Sequence, residues 1–506
     1  MIESPSILHT PALLESPARI GHSSITRRIA RMLRKPLPSL ALLAVLLLLQ
    51  SACAQSPITL VIDPTLAGPD ISSNFSGLSY EMSLVLPGSN GKYFFSPQHK
   101  PLVQMFHTLG VKSLRVGGNS AERETVPVPG RADIDSLFEF AKVAGVKVIY
   151  TLRMKGADPQ ADAGIAKYVM DHYSPVLACF SLGNEPEKMA TNYAAYREVF
   201  GRFVAVITAP TNVPEARFCG PNTTHMNASW AGQFARDFGR DRRVVLVTQH
   251  EYPARSGRNV TNTLAGCDRL LSPDLLKVYE TFHDEFVPAA RSNGLPCRLE
   301  EANSFSNGGA AGVSDAFASA LWGLDYLYWW AAHGAAGVNF HTGGTAPGIT
   351  PRSPMKYAVF WNSSEGFAVR PLAYALKAFA LASNGRLVSV NVSSGTSLPN
   401  VRAYAVLAPD GSLYVTLINK EHGPGGRDAE ATLAPGQGFA RGEITRLTSP
   451  DGDVQARSGG MLGGAVIKDD GKWNGTWAPL SPPSGGGQFK LTVPAATAAI
   501  VRLVAN

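Results

Sequence analysis

Two glutamates stand where side chains can do acid–base chemistry. Glu185 lies in Phe180-Ser181-Leu182-Gly183-Asn184-Glu185-Pro186-Glu187, where an apolar run gives way to a helical pattern. Glu301 lies in Leu299-Glu300-Glu301-Ala302-Asn303, again at the end of a short strand-like run. A glutamate at the mouth of a strand can give a proton to a leaving group when burial raises its pKa, and the adjacent Asn184 can hold a sugar hydroxyl. Two carboxylates flanking a glycosidic bond are the minimal equipment for glycoside hydrolysis. A separation of about 5 to 5.5 Å gives retention of configuration, and roughly 6.5 to 9.5 Å gives inversion.

The elements that must position these two groups read as an alternation. Strands are predicted at Phe75 to Ser83, Val111 to Val116, Val146 to Leu152, Val176 to Leu182, Ala216 to Gly220, Val244 to His250, Cys297 to Glu300 and Gly337 to His341. Apolar-periodic helices fall between them, and Pro371 to Ala382 closes the set. This rhythm predicts an α/β fold, a (β/α)8 TIM barrel over residues 71–384. Glu185 then ends the fourth strand and Glu301 the seventh, so both face the rim where such barrels bind ligands. Beyond Arg386 the period becomes two, with short strands separated by Pro/Gly-rich turns, which predicts a C-terminal β-sandwich over 385–506. The strand predicted near Pro57 to Asp63, within 55–70, is expected to join that sandwich.

Composition bounds the function classes. The chain has 506 residues, 45% of them hydrophobic, enough for a full-sized core in two domains. Arg27, Arg28, Arg31, Arg34 and Lys35 precede the apolar run Leu40 to Leu49 and then Ser51-Ala52-Cys53-Ala54, the order of a secretory signal. Cleavage near Ala54 is expected, Cys53 leaves a lipoprotein alternative, and secretion or periplasmic export follows. Residues 1–54 carry six Arg and Lys against two Glu, so the net charge of +7 falls to +3 for the remainder. A field suited to nucleic acid is not indicated, and neither is a membrane span in the mature protein. Cys179, Cys219, Cys267 and Cys297 match no zinc spacing, and disulfides and buried thiols remain equal alternatives. No nucleotide fingerprint, Ser-His-Asp order or metal-ligand spacing stands out, so no cofactor or metal is expected.

The ordered motifs resemble a known family. Gly77-Leu78-Ser79-Tyr80-Glu81, Leu114-Arg115-Val116-Gly117-Gly118-Asn119, Asn184-Glu185-Pro186, His250-Glu251-Tyr252-Pro253, Glu301-Ala302-Asn303-Ser304 with Asn307-Gly308-Gly309, and Val338-Asn339-Phe340-His341 are together similar to glycoside hydrolase family 79. That family, within the clan A retaining glycosidases, holds β-glucuronidases and heparanase. The resemblance implies Glu185 as general acid/base, Asn184 beside it on the sugar 2-hydroxyl, and Glu301 as nucleophile in preference to Glu300, a rim or structural carboxylate. It implies that Tyr252 hydrogen-bonds the nucleophile and that Glu81, Asn119 and His341 line the sugar subsite. The substrate carboxylate would meet backbone amides of Asn307 and Gly308 together with Tyr357, although Asn307 stands where the family commonly has Gly and Ser306 where it often has an aromatic residue. Lys356 to Phe360 reads equally as a buried strand that would give Tyr357 a packing role.

The implied activity is a retaining exo-β-glucuronidase acting on a glucuronide-bearing oligosaccharide or glycoside, 4-O-methylated sugars included. The alternatives are another clan A β-glycosidase, an endo-acting heparanase-like enzyme, or a non-catalytic carbohydrate-binding protein. The aromatic run Trp322 to Trp330 has helical spacing and reads as core, with His333 as a structural residue at that helix's end.

Overall fold

The structure, a computed structural model, describes residues 55–343, 354–363, 366–481 and 487–505. The export signal expected in 1–54 lies outside the described residues. No helix among the described residues is long and apolar enough to cross a membrane.

Eight parallel strands close into a barrel: β2 (Ser76–Glu81), β3 (Ser113–Gly117), β4 (Lys147–Leu152), β5 (Leu177–Leu182), β6 (Phe218–Thr223), β7 (Val244–Glu251), β8 (Cys297–Ala302) and β9 (Gly337–His341). Closure is between β2 and β9, with Ser76 opposite Val338 and Ser79 opposite His341. Both faces of such strands are covered, one by the barrel interior and one by helices, so β2, β3, β8 and β9 are buried at every residue. The surrounding helices are α1 (Lys100–Leu109), α2 (Arg131–Ala144), α3 (Pro159–Tyr173), α4 (Tyr193–Ile207), α5 (Ser229–Phe238), α6 (Thr263–Leu271), α7 (Leu275–Ser292), α8 (Ala318–Ala332) and α9 (Pro371–Ala382). Their starts follow local chemistry: Asp158 accepts from the Gln160 amide, and Asn192 and Asn262 accept from the amides of Ala195 and Ala265.

Three local differences from the sequence reading have physical causes. Helix α6 is additional, its periodicity diluted by Gly266, where a Cβ would come within 2.6 Å of Val313. Strand β6 runs on through Pro221 and Asn222 to Thr223, because the residues after the Gly-Pro pair keep pairing with β7. The strand suggested over 356–360 begins only at Phe360, in the hairpin of β10 (Phe360–Ser363) and β11 (Gly366–Val369), and Tyr357 lies in the turn before it.

The second domain is one sheet of ten strands. It contains β12 (Arg386–Ser394), β13 (Val401–Leu407), β14 (Leu413–Asn419), β15 (Asp428–Ala434), β16 (Phe439–Thr448), β17 (Met461–Leu462), β18 (Ala478–Leu480), β19 (Phe489–Val493) and β20 (Thr497–Ala505). The early strand β1 (Gln55–Asp70) completes it, antiparallel to β12 and parallel to β15. Side chains from opposite ends of the strand order, Ile444 of β16 and Phe489 of β19, belong to one buried cluster with Leu60, Val415 and Val501, so the sheet folds over on itself as a sandwich. The alternate side chains Tyr404, Val406, Ile418 and Ile500 join the barrel's core instead, as the period of two requires.

Helix α8 is the joint between the two. It is buried all round, which explains why its aromatic run reads as apolar on every side. Its Tyr328 stacks on Tyr404 at 4.9 Å and accepts from Thr416, while the His333 ring stacks on Trp329 at 3.8 Å. Asp325, also on α8, accepts hydrogen bonds from Tyr404 at 2.6 Å and from the Lys420 ammonium at 2.8 Å. Both Asp325 and Lys420 are buried, so neither charge has water to fall back on. Replacing Asp325 with Ala strands Lys420 and is expected to cost about 3–5 kcal/mol in urea unfolding, whereas the paired change Asp325→Leu with Lys420→Met should recover part of that loss, the Tyr404 hydroxyl and Arg402 still lacking their acceptor.

Candidate active site

The site is built at the C-terminal rim, where an extra residue in β8 turns two consecutive glutamates inward. Gln249 pairs with Leu299 and His250 with Glu301, so Glu300 is the unmatched residue of a β-bulge. Without the bulge, alternation would send Glu300 and Glu301 to opposite faces. Glu300 goes to the barrel interior, fully buried, where Ser181 donates to it at 3.3 Å. It is therefore a structural carboxylate below the rim. Glu301 sits above it, accepting from the Tyr252 hydroxyl at 2.9 Å and from the Arg115 guanidinium at 2.6 Å.

Arg115, on β3, is 0% exposed and holds several of these groups at once. One nitrogen donates to Glu301 and, at 3.2 Å, to Ser79, and the other donates to Asn184 at 2.6 Å. Burial works against the Glu301 charge, but His341, His250 and Arg115 beside it, with the Tyr252 hydrogen bond, outweigh burial and hold the carboxyl well below the usual range. Glu301 is thus ionised at any ordinary pH, as a nucleophile must be. The His250 ring is also buried, which disfavours its charge, yet the charge of Glu301, the hydrogen bond to Glu185 and the nearby Glu300 carboxylate push it up to about 9.

Glu185 follows β5 by three residues in a left-handed conformation, φ 49°, after Gly183 at φ 74°. A non-glycine residue in that region stores about 1–3 kcal/mol of strain and needs support from its surroundings. The support comes from the end of β6: the Asn222 carbonyl accepts from the Glu185 amide, and the Asn222 side chain donates to Ser181 and to the Gly183 carbonyl. The carboxylate faces His250 Nδ1 at 3.4 Å on one oxygen and the Lys188 ammonium on the other. The sequence reading required burial to raise its pKa. Burial does push it up, but the hydrogen bond and charge of His250, together with Lys188, prevail over burial and over the Glu301 charge, and the net direction is downward.

An oxygen of Glu185, an oxygen of Glu301 and a nitrogen of His250 all lie within 4.8 Å of one another. So close an approach of one oxygen from each carboxylate is in keeping with the shorter of the two glycosidase spacings. The same spacing would admit a cation, but His250 would first have to lose its proton, and Arg115 already occupies the position of a counter-charge beside Glu301. The donor set does not fit a metal.

The remaining expected residues divide into two groups. Glu81 is buried and accepts from the amide and hydroxyl of Ser120; a Cβ on Gly118, at φ 66°, would come within 2.6 Å of it. His341 bonds Ser79 through Nδ1 at 3.0 Å and lies 3.9 Å from Glu81 through Nε2. The Tyr357 ring sits 5.9 Å from that of Tyr252 and 6.1 Å from that of His341, and its carbonyl accepts from Asn303. These surround the carboxylate pair. Asn119 is exposed and accepts from Lys188 at 2.8 Å, so it meets the pair only through that lysine. Asn307 is exposed too, with its side chain on Ser256.

Arg115, His250 and Lys188 lie within or beside the motifs, yet the motifs assign them no site role. A buried Arg or His on a barrel strand signals a partner of opposite charge, but the sequence does not say which one. All four described cysteines are free and buried. A cavity of about 910 Å³ is lined by Tyr80, Phe94, Phe360 and Trp361, and neither Glu185 nor Glu301 borders it.

No protein-family model matches the chain. A stretch of 191 residues is 25% identical to a β-glucuronidase of Aspergillus niger; it covers 33% of this chain and 34% of that protein, about a third of the relative's length. A 4-O-α-L-rhamnosyl-β-D-glucuronidase structure from Fusarium oxysporum matches with a TM-score of 0.65 at 17% identity, over 87% of this chain and 99% of that one. A family 51 arabinofuranosidase from Xanthomonas axonopodis matches with a TM-score of 0.64 at 13% identity, over 89% and 100%. The chain therefore has the barrel fold of the clan A glycoside hydrolases, with a distant sequence similarity to a β-glucuronidase.

Proposed function

We propose that the protein is a retaining exo-β-glucuronidase that removes terminal β-D-glucuronosyl residues, 4-O-methylated ones included. The observation that carries the retaining reading is the approach of Glu185 and Glu301 to within 4.8 Å, with Glu301 held ionised. Glu301 attacks the anomeric carbon as Glu185 gives its proton to the departing glycosidic oxygen, leaving a glycosyl ester on Glu301. Glu185, now a base, takes a proton from water, whose oxygen displaces Glu301 from the same carbon. Asn184, with its carbonyl fixed by Arg115, offers its amide to the sugar.

The uronate preference draws support from the two glucuronidase relatives and from the loop after β8. Asn307 and Gly308 are both left-handed, φ 58° and 80°, and among the described residues neither amide has a hydrogen-bond partner. The Gly308 carbonyl accepts from the Lys356 amide, which seats this loop beside Tyr357. Unpaired successive amides of this kind suit a carboxylate. We also propose export, on the strength of the basic, apolar, small-residue order in 1–54.

Three outcomes test the reading. Aryl β-glucuronide should be cleaved far faster than aryl β-glucoside; the reverse order would make the enzyme a neutral-sugar glycosidase, and no turnover on either would favour a binding protein. Glu301→Gln should lose several orders of magnitude in kcat and Glu185→Gln about 10²–10⁴-fold on poor leaving groups, with mass spectrometry of the wild type finding the glycosyl ester on Glu301. The pH dependence follows from the two carboxyls: Glu301 must be ionised and Glu185 protonated. Since Glu185 lies below the ordinary glutamate value of about 4.3, kcat/KM is highest in the acid range and falls as pH rises through that lowered pKa. A free-enzyme optimum near neutrality would contradict this assignment.

A further inference from the structure

We propose that Lys188 is a displaceable counter-cation that occupies one oxygen of Glu185 until a leaving group takes its place. The inference rests on the assignment of Glu185 as acid/base and adds a positioning residue to it. Both oxygens of Glu185 are engaged, Oε1 by His250 and Oε2 by Lys188, so a glycosidic oxygen approaching either one meets a competing donor. One partner must withdraw, and the two differ in their freedom to do so.

The groups facing Glu185 come from every side. His250 reaches it from β7, Glu301 from β8, His225 from the short helix after β6, Tyr357 from the turn before β10, and Lys188 from its own short helix Pro186–Lys188. His250 is 1% exposed and its other nitrogen faces Glu300 at 3.7 Å, so it is locked. The Lys188 side chain is 52% exposed, and its ammonium already has a second acceptor, the Asn119 carbonyl at 2.8 Å. A leaving group approaching Oε2 therefore moves Lys188 to Asn119 and to solvent. Glu185 then loses an adjacent cation and takes up one proton from water, which is the form the first step consumes.

The test has one readout that needs no catalysis. In protein carrying ¹³C-labelled glutamate carboxyls, the Glu185 resonance is identified by its loss in Glu185→Gln. Lys188→Met should raise its titration midpoint by about one pH unit, and Lys188→Arg should leave it in place. An unmoved midpoint in Lys188→Met overturns the proposal. The second readout separates the two stages. In Lys188→Met the alkaline limb of kcat/KM, which reports free enzyme, should move up by the same amount, while the limb of kcat stays, because in the complex the lysine has already left. Limbs that move together, or not at all, also overturn it. Asn119→Ala, at an exposed position, removes the second acceptor and should lower the kcat limb toward that of free enzyme; an unchanged kcat limb rejects Asn119 as the landing place. Failure to cleave any glycoside would defeat the proposed activity, yet the resonance midpoint would still decide whether Lys188 controls Glu185.

Discussion

The buried guanidinium of Arg115 is the interaction on which the site depends. A cation sealed inside a barrel is tolerable only among anions and acceptors that satisfy it. Here Glu301, Asn184 and Ser79 accept its hydrogen bonds, and Glu300 lies 3.9 Å away. The same contacts fix the Glu301 carboxylate and orient Asn184, next to Glu185. Burial makes these contacts strong, and it is the neighbouring cations and the Tyr252 hydroxyl that hold the Glu301 charge against it. With the His250 pKa also raised by its three glutamate neighbours, the rim is a compact array of opposite charges.

Two backbone irregularities bring that array together. The bulge at Glu300 lets successive residues of one strand serve different layers, one below the rim and one at it. The left-handed turn at Glu185 bends the chain back toward β8, and the extended end of β6 keeps it there through Asn222. Each departs from ideal geometry, and each is held by side chains from another strand. Strain concentrated at the reacting groups and supported by the barrel wall is the usual arrangement in enzymes. The sandwich covers α8 and α9, whose apolar surface on the side away from the barrel would otherwise face water.

The architecture was legible because barrel strands and sandwich strands have different periods. Continuous apolar runs alternating with 3.6-period helices can hardly be confused with the strict alternation after Arg386. Boundaries were less legible where glycine and proline interrupt a run: Gly220-Pro221 concealed the end of β6, and Gly266 concealed α6. Tyr357 was ambiguous for a related reason, since five mostly apolar residues make an equally good strand or turn until their hydrogen-bond partners are known. Of the expected site residues, the buried ones converge, whereas Asn119 and Asn307, both exposed, do not reach the carboxylate pair.

Residue types and their order along the chain were enough to indicate a barrel, a trailing sheet domain and two glutamates on one rim, because periodicity and strand count are properties of local sequence. They could not indicate that Glu300 and Glu301 face the same interior, that Arg115 binds one carboxylate and the asparagine next to the other, or that Lys188 and His250 reverse the effect of burial on Glu185. Those facts depend on distances between groups that are tens or hundreds of residues apart. Electrostatic energy in a buried site varies with a few ångströms of separation, and only the closed barrel sets that separation.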